Sequence, residues 1–155
     1  MSEPSFDIEK AHRWFAVEFN NLAWELYESA GRTEADTERM IHAAHAACFH
    51  WFHVGVDVNR LRALCLLASA YAAAGLAELA VRYATQCVAL SDRLGDEQTK
   101  FDRATALGCA YLAHRVKGDV RATDEFLRSA REAAAALPDD DERIVFLRLF
   151  NVKTC

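Results

Sequence analysis

Residues 61–75 read Leu-Arg-Ala-Leu-Cys-Leu-Leu-Ala-Ser-Ala-Tyr-Ala-Ala-Ala-Gly, and residues 104–118 read Ala-Thr-Ala-Leu-Gly-Cys-Ala-Tyr-Leu-Ala-His-Arg-Val-Lys-Gly. In the first, Leu61, Leu64, Leu67, Ala68 and Tyr71 recur at three- and four-residue intervals, the spacing of an apolar helix face. Glycine then stops each helix, because it alone enters the left-handed conformation at no steric cost. Gly75 and Gly118 stand 43 residues apart, and at the same offset Tyr83 matches Phe126 and Cys87 matches Ala130. Each glycine therefore closes one helix and admits a second, and the pair of helices occurs twice.

The rest of the chain has the same punctuation. Ser5 can cap a first helix running to about Ala30, stopped by Gly31, with Phe15, Phe19, Leu22 and Leu26 as its apolar stripe. Thr33 with Asp36 resembles a capping box and opens a second helix that Gly55 ends. Asp57 starts the third helix, and a fourth runs from about Leu76 to Leu94. Gly95-Asp96 stops that helix and caps the fifth, roughly Glu97 to Lys117. Gly118-Asp119 repeats the device before a sixth that reaches Leu137, and Asp139 with Glu142 caps a short final helix from Arg143 to Phe150. Connections this short fold consecutive helices back on one another as antiparallel hairpins. The expected architecture is all-α, about seven helices in one domain, with helix pairs at approximately 6–55, 57–94 and 97–137 and a terminal helix at 140–151.

Leu64-x-x-Leu67-Ala68-x-x-Tyr71, followed by Ala80 and Ala84, resembles the two helices of a tetratricopeptide repeat, and Ala104-x-x-Leu107-Gly108-x-x-Tyr111 resembles the first helix of another. The likeness covers residues 57 to 137, with 6 to 55 as a more divergent pair, at a spacing longer than the usual one. It implies a right-handed superhelix whose concave groove holds a peptide or partner protein, and it brings no catalytic residues. Ala44 to Trp51, followed by Gly55, Asn59 and Arg62, also resembles a pattern in small bacterial helical proteins that carries no activity with it.

Composition narrows the classes. Apolar residues make up 52% of 155 and charged residues 26%, enough for a packed core in one domain. A net charge of −5 with scattered Lys and Arg argues against a nucleic-acid partner. The longest apolar stretch, Leu61 to Leu79, is broken by Arg62, Ser69, Gly75 and Glu78, so no membrane span is expected. Met-Ser-Glu-Pro-Ser lacks the apolar core of a secretory signal. The five cysteines have no Cys-x-x-Cys spacing, and four of them fall inside helical patterns as small apolar fillers. A reduced, cytoplasmic protein is the expectation.

Four of the six histidines, His42, His45, His50 and His53, crowd into the second helix. Folding the first three helices about their turns brings Glu18 level with His45, Trp14 with His50, His50 with Arg62, and His53 with Asn59. A pocket of Glu18, Asn21, His45, His50, Trp51, Asn59 and Arg62 can converge if those faces point inward. Three readings stand. Buried histidines can lock the helices in register; an anion or small polar molecule can bind between Trp14 and Trp51; or a Glu–His pair can act as a base or hold a metal. The metal set would be His42, His45, His50 and His53. It fits a designed site poorly, because Glu9-x-x-His12 has no second copy and no His-Glu-x-x-His occurs. His12 and His114 read as ordinary surface or boundary residues. No cofactor motif is present. The expected function is a non-enzymatic module for protein or peptide binding, with a small-molecule or metal-binding protein or enzyme as the alternative. The apolar tail from Phe146 to Val152 either caps the last repeat or makes a homodimer contact.

Overall fold

The computed structural model describes residues 6–152, and Ser5, expected as the first cap, lies outside them. Seven α-helices form among the described residues: α1 (Ile8–Glu28), α2 (Glu34–Val54), α3 (Asp57–Ala73), α4 (Ala77–Leu94), α5 (Lys100–Lys117), α6 (Val120–Ala135) and α7 (Asp140–Phe150). Asp7 caps α1 by accepting from the Lys10 amide. Thr33 and Asp36 form the expected capping box of α2. The start of α5 differs from expectation. Residues Gly95–Glu97 make a 3-10 turn, and the cap is Thr99 in a full capping box with Asp102. Thr99 offers a hydroxyl acceptor and an acidic residue three positions on, which together satisfy two amides that Gly95-Asp96 leaves open.

Gly75 and Gly118 both take positive φ, 74° and 77°, as closing glycines must. Each helix packs on its sequence neighbour, and α3 also packs on α5 and on α1, with α5 in turn against α7. The odd-numbered helices thus share one layer. Across α3 and α5 the level pairs are 40 residues apart: Arg62 with Asp102, and Cys65 with the Thr105 carbonyl. That offset is the one separating Leu67-Ala68-x-x-Tyr71 from Leu107-Gly108-x-x-Tyr111, so the two helices lie side by side without stagger.

The core runs through both. Nearly all of Leu61 to Ala72 and Ala104 to Ala113 is buried, hence their apolar character all round. The C-terminal tail is consumed internally, with Phe146, Phe150 and Val152 all buried. Gly108 makes room for it, since a Cβ there would stand 2.6 Å from Cγ of Phe150. Tyr27 donates its hydroxyl to the Leu149 carbonyl at 2.6 Å, and Arg148 pairs with Glu28 at 3.0 Å, so α7 is tied to α1 as well as α5. Among the described residues no helix is long and apolar enough to cross a membrane.

Candidate functional site

A cavity of about 300 Å³ lies in the odd-helix layer. Asn20, Trp24 and Glu28 come from α1, Arg62 and Cys65 from α3, Phe101, Asp102 and Thr105 from α5, and Val145 and Leu149 from α7. On α1 those three residues follow i, i+4, i+8, a single stripe beside the buried Ala16 and Ala23. The walls are aromatic and aliphatic, and an ion pair stands at one end.

Asp102 is 2% exposed, and its carboxylate accepts from Arg62 Nε at 2.7 Å and Nη2 at 3.1 Å. It also accepts from the Thr99 amide at 3.1 Å and hydroxyl at 2.8 Å. Burial pushes its carboxyl up, but the Arg62 fork and the Thr99 cap outweigh burial and hold it below the usual carboxylate range. The Arg62 guanidinium is raised by the same pair. Four hydrogen bonds therefore fix a charge in the cavity wall, and Arg62 has further donors beyond the two it spends.

Of the pocket expected from sequence, only Arg62 lines this cavity. His45 turns the other way, its Nε2 at 2.6 Å from the Tyr71 hydroxyl, with Tyr71 stacked on Tyr83. Its pKa is lowered by burial and then by His42. His50 faces α1, its Nδ1 at 2.7 Å from His12 Nδ1 and its ring stacked with Phe15 and Phe19. Burial, followed by the neighbouring His12 and His53, lowers its pKa too. Asn59 is spent on the amide of Val56 at the start of α3. Trp51 packs into the core margin. Glu18 and Asn21 are exposed, the latter beside Asn20. The expected convergence of Glu18, Asn21, His45, His50, Trp51, Asn59 and Arg62 does not occur. His45 and His50 are five residues apart, about 140° around a helix, so one meets α3 and α4 while the other meets α1.

The four-histidine metal set is dispersed for the same reason, with His42 exposed beside Glu38. His12, read as an ordinary residue, instead joins His50 and stacks on His53 at 4.1 Å. The level-matching of α1 against α2 reaches this pairing, which places residue 12 within a turn of both. Around these rings Trp14, Phe15, Phe49 and Phe52 are exposed.

Three cysteines read as fillers do converge. Cys65, Cys87 and Cys109 are buried and place their sulfur atoms within 4.8 Å of one another. Among the described residues no other group of three metal-ligating side chains is so placed. The close approach of Cys109 and Cys87 lowers the Cys65 thiol below its ordinary pKa, while Cys65 beside them and burial push the other two up. Asp102, Trp24, Phe101 and Thr105 were missed from sequence. The 40-residue register was the signal for Asp102, since it sets that residue opposite Arg62. Comparison with protein-family models, with curated proteins and with solved structures finds no match to this chain.

Proposed function

We propose that the chain is a non-enzymatic, tetratricopeptide-like helical-repeat module that holds a short segment of a partner protein between α1, α3, α5 and α7. The carrying observation is the cavity of about 300 Å³, apolar along Trp24, Phe101, Val145 and Leu149 and closed by the half-exposed Arg62 on Asp102. Apolar walls with a few placed polar groups describe a recognition site. An apolar side chain would fill the cavity while a neighbouring carbonyl or carboxylate takes the donors Arg62 retains.

Binding fits this lining better than catalysis. It contains no histidine, and both of its carboxylates are tied to arginines, Glu28 to Arg148 and Asp102 to Arg62. The alternative of a small-molecule, metal or catalytic pocket built from Glu18, His45, His50 and Arg62 loses its basis, because those side chains face different neighbours. The right-handed superhelical arrangement is part of this reading, supported by the in-register packing of α3 on α5. So is a cytoplasmic place of work, supported by Cys48, Cys65, Cys87 and Cys109 all being free thiols.

The test is selection from a random peptide display library against the wild-type chain and Thr105→Trp, which fills the cavity. Enriched peptides should carry an aromatic or leucyl residue beside an acidic one and lose about tenfold or more in affinity for Thr105→Trp, which is at least 1.4 kcal/mol. Peptides that bind both proteins equally place the binding surface elsewhere and overturn the proposal.

A further inference from the structure

Cys65 on α3, Cys87 on α4 and Cys109 on α5 come from three different helices, so no single helix's periodicity brings them together. They are 4%, 0% and 0% exposed, and their sulfur atoms lie within 4.8 Å of one another. As separate fillers, each thiol rests on a backbone carbonyl: Cys65 on Thr105 at 3.6 Å, Cys87 on Leu61 at 3.7 Å, Cys109 on Ala106 at 3.2 Å. Filling space does not require sulfur three times over, because the same helices use alanine at Ala63, Ala84 and Ala104 for that purpose. One turn beyond Cys65, the Ser69 hydroxyl is buried without a hydrogen-bond partner.

We infer that Cys65, Cys87 and Cys109 form a three-sulfur site for a trivalent thiophilic metalloid ion, with arsenite as its simplest form. Sulfur-only donors select soft ions. Trivalent arsenic keeps a lone pair and binds three sulfurs as a pyramid. With bonds of about 2.3 Å and angles a little above about 90°, the sulfurs stand about 3.4 Å apart, so sulfurs within 4.8 Å of one another close on it by side-chain movement of about an ångström. Zinc would want a fourth ligand, and only the weak Ser69 hydroxyl is at hand.

Charge decides among the ions that accept three sulfurs. Three thiolates carry three negative charges, and among the described residues no Lys or Arg is buried beside them. A monovalent or divalent ion would leave net charge in the core, which costs heavily; a trivalent one leaves none. The exchange balances without any redox partner. Arsenous acid gives up three hydroxides, each leaving as water with a thiol proton, and three arsenic–sulfur bonds form. Cys65 also lines the groove cavity, which gives the ion a route to the thiols.

The experiment is titration of the reduced full chain with sodium arsenite, followed by native mass spectrometry, arsenic X-ray absorption and thermal melting. The expected result is one arsenic per chain, a shell of three sulfurs with no oxygen, and a higher melting temperature. Cys109→Ala should weaken binding by about a hundredfold or more and put oxygen in the shell, while Cys48→Ser leaves both unchanged. Should Cys109→Ala fail to fold, the three-sulfur shell of the wild-type chain still decides. An oxygen-containing wild-type shell, substoichiometric uptake, or a lowered melting temperature from capture of the unfolded chain would each overturn the assignment. So would copper(I) or zinc displacing arsenite at equal concentration, because net charge would then not be governing the site.

Discussion

Asp102 concentrates more polar interaction than any other buried residue described, so its removal is the sharpest probe of the α3–α5 register. Asp102→Ala deletes two contributions. Losing the cap acceptor to Thr99 costs about 1 kcal/mol. Losing the two charge-assisted bonds from Arg62 costs about 1.5–3 kcal/mol. The Arg62 side chain is 53% exposed, so water screens the pair and the lower end applies. The total expected is about 2–3 kcal/mol. Arg62→Ala should cost about 1–2 kcal/mol, because it leaves a buried carboxylate held by Thr99 alone. Asp102→Asn, which keeps an acceptor for the cap, should fall between wild type and Asp102→Ala. The folded carboxyl sits below its ordinary 3.8, so its contribution is whole above that value and is lost as pH falls from 3.8 through the folded pKa. Asp102→Asn should flatten that acid limb. Urea unfolding followed by circular dichroism at neutral pH, with the denaturant slope unchanged, reads these differences. A cost for Asp102→Ala below about 0.5 kcal/mol, or Arg62→Ala and Asp102→Ala adding within about 0.3 kcal/mol in the double variant, would refute the coupling.

Gly108→Ala gains about 1 kcal/mol of helix propensity but drives a methyl into the Phe150 ring, at an overpacking cost of about 1–3 kcal/mol. Limited proteolysis should therefore release α7 from the variant first and spare it in the wild type. His45 and His50 have folded pKa values below their ordinary 6.5, so the unfolded chain binds protons first and stability drops as pH falls from 6.5 to the folded values. Thermal melts across that interval should show the drop, and His50→Phe should shrink it. The homodimer is expected through the C-terminal helix or an exposed helical face; Phe146 and Phe150 are buried, so we propose the exposed face of the first hairpin, where Phe49 is 65% exposed, as its contact. Sedimentation should give a dimer for the wild type and a monomer for Phe49→Glu with Phe52→Glu.

Helix boundaries were legible where backbone chemistry is local. Gly75, Gly118 and the Thr33–Asp36 box act within four residues, and each appears as expected. The start of α5 was misplaced because Gly95-Asp96 and Thr99 both carry cap chemistry, and choosing between them depends on which amides the tertiary packing leaves open. The histidine pocket went wrong for a different reason. Level-matching orders residues along helix axes but is blind to azimuth, and His45 and His50 differ by about 140°. The same blindness hid the thiols, since Cys65, Cys87 and Cys109 each look like a small core residue until three helix azimuths are known together. Asp102 was recoverable. The 40-residue offset of Tyr71 to Tyr111 sets it opposite Arg62, and an acidic residue facing a basic one across α3 and α5 at that offset is a contact visible without coordinates.

The register of α3 on α5 also determines what the groove can accept. With Gly108 level with Ala68, two small residues face the same layer, and the Phe150 ring comes to lie directly on the Gly108 backbone. That approach lets α7 lie in the layer alongside α1 and α5, where Tyr27 and Glu28 fasten it. Val145 and Leu149 then become the fourth wall, and the space left between the odd-numbered helices is about 300 Å³. With α7 in place, the opening suits one or two side chains and ends on Arg62 and Asp102. The width of this cavity is thus set by a glycine on α5, and a residue larger than glycine at 108 should widen it as it loosens the tail.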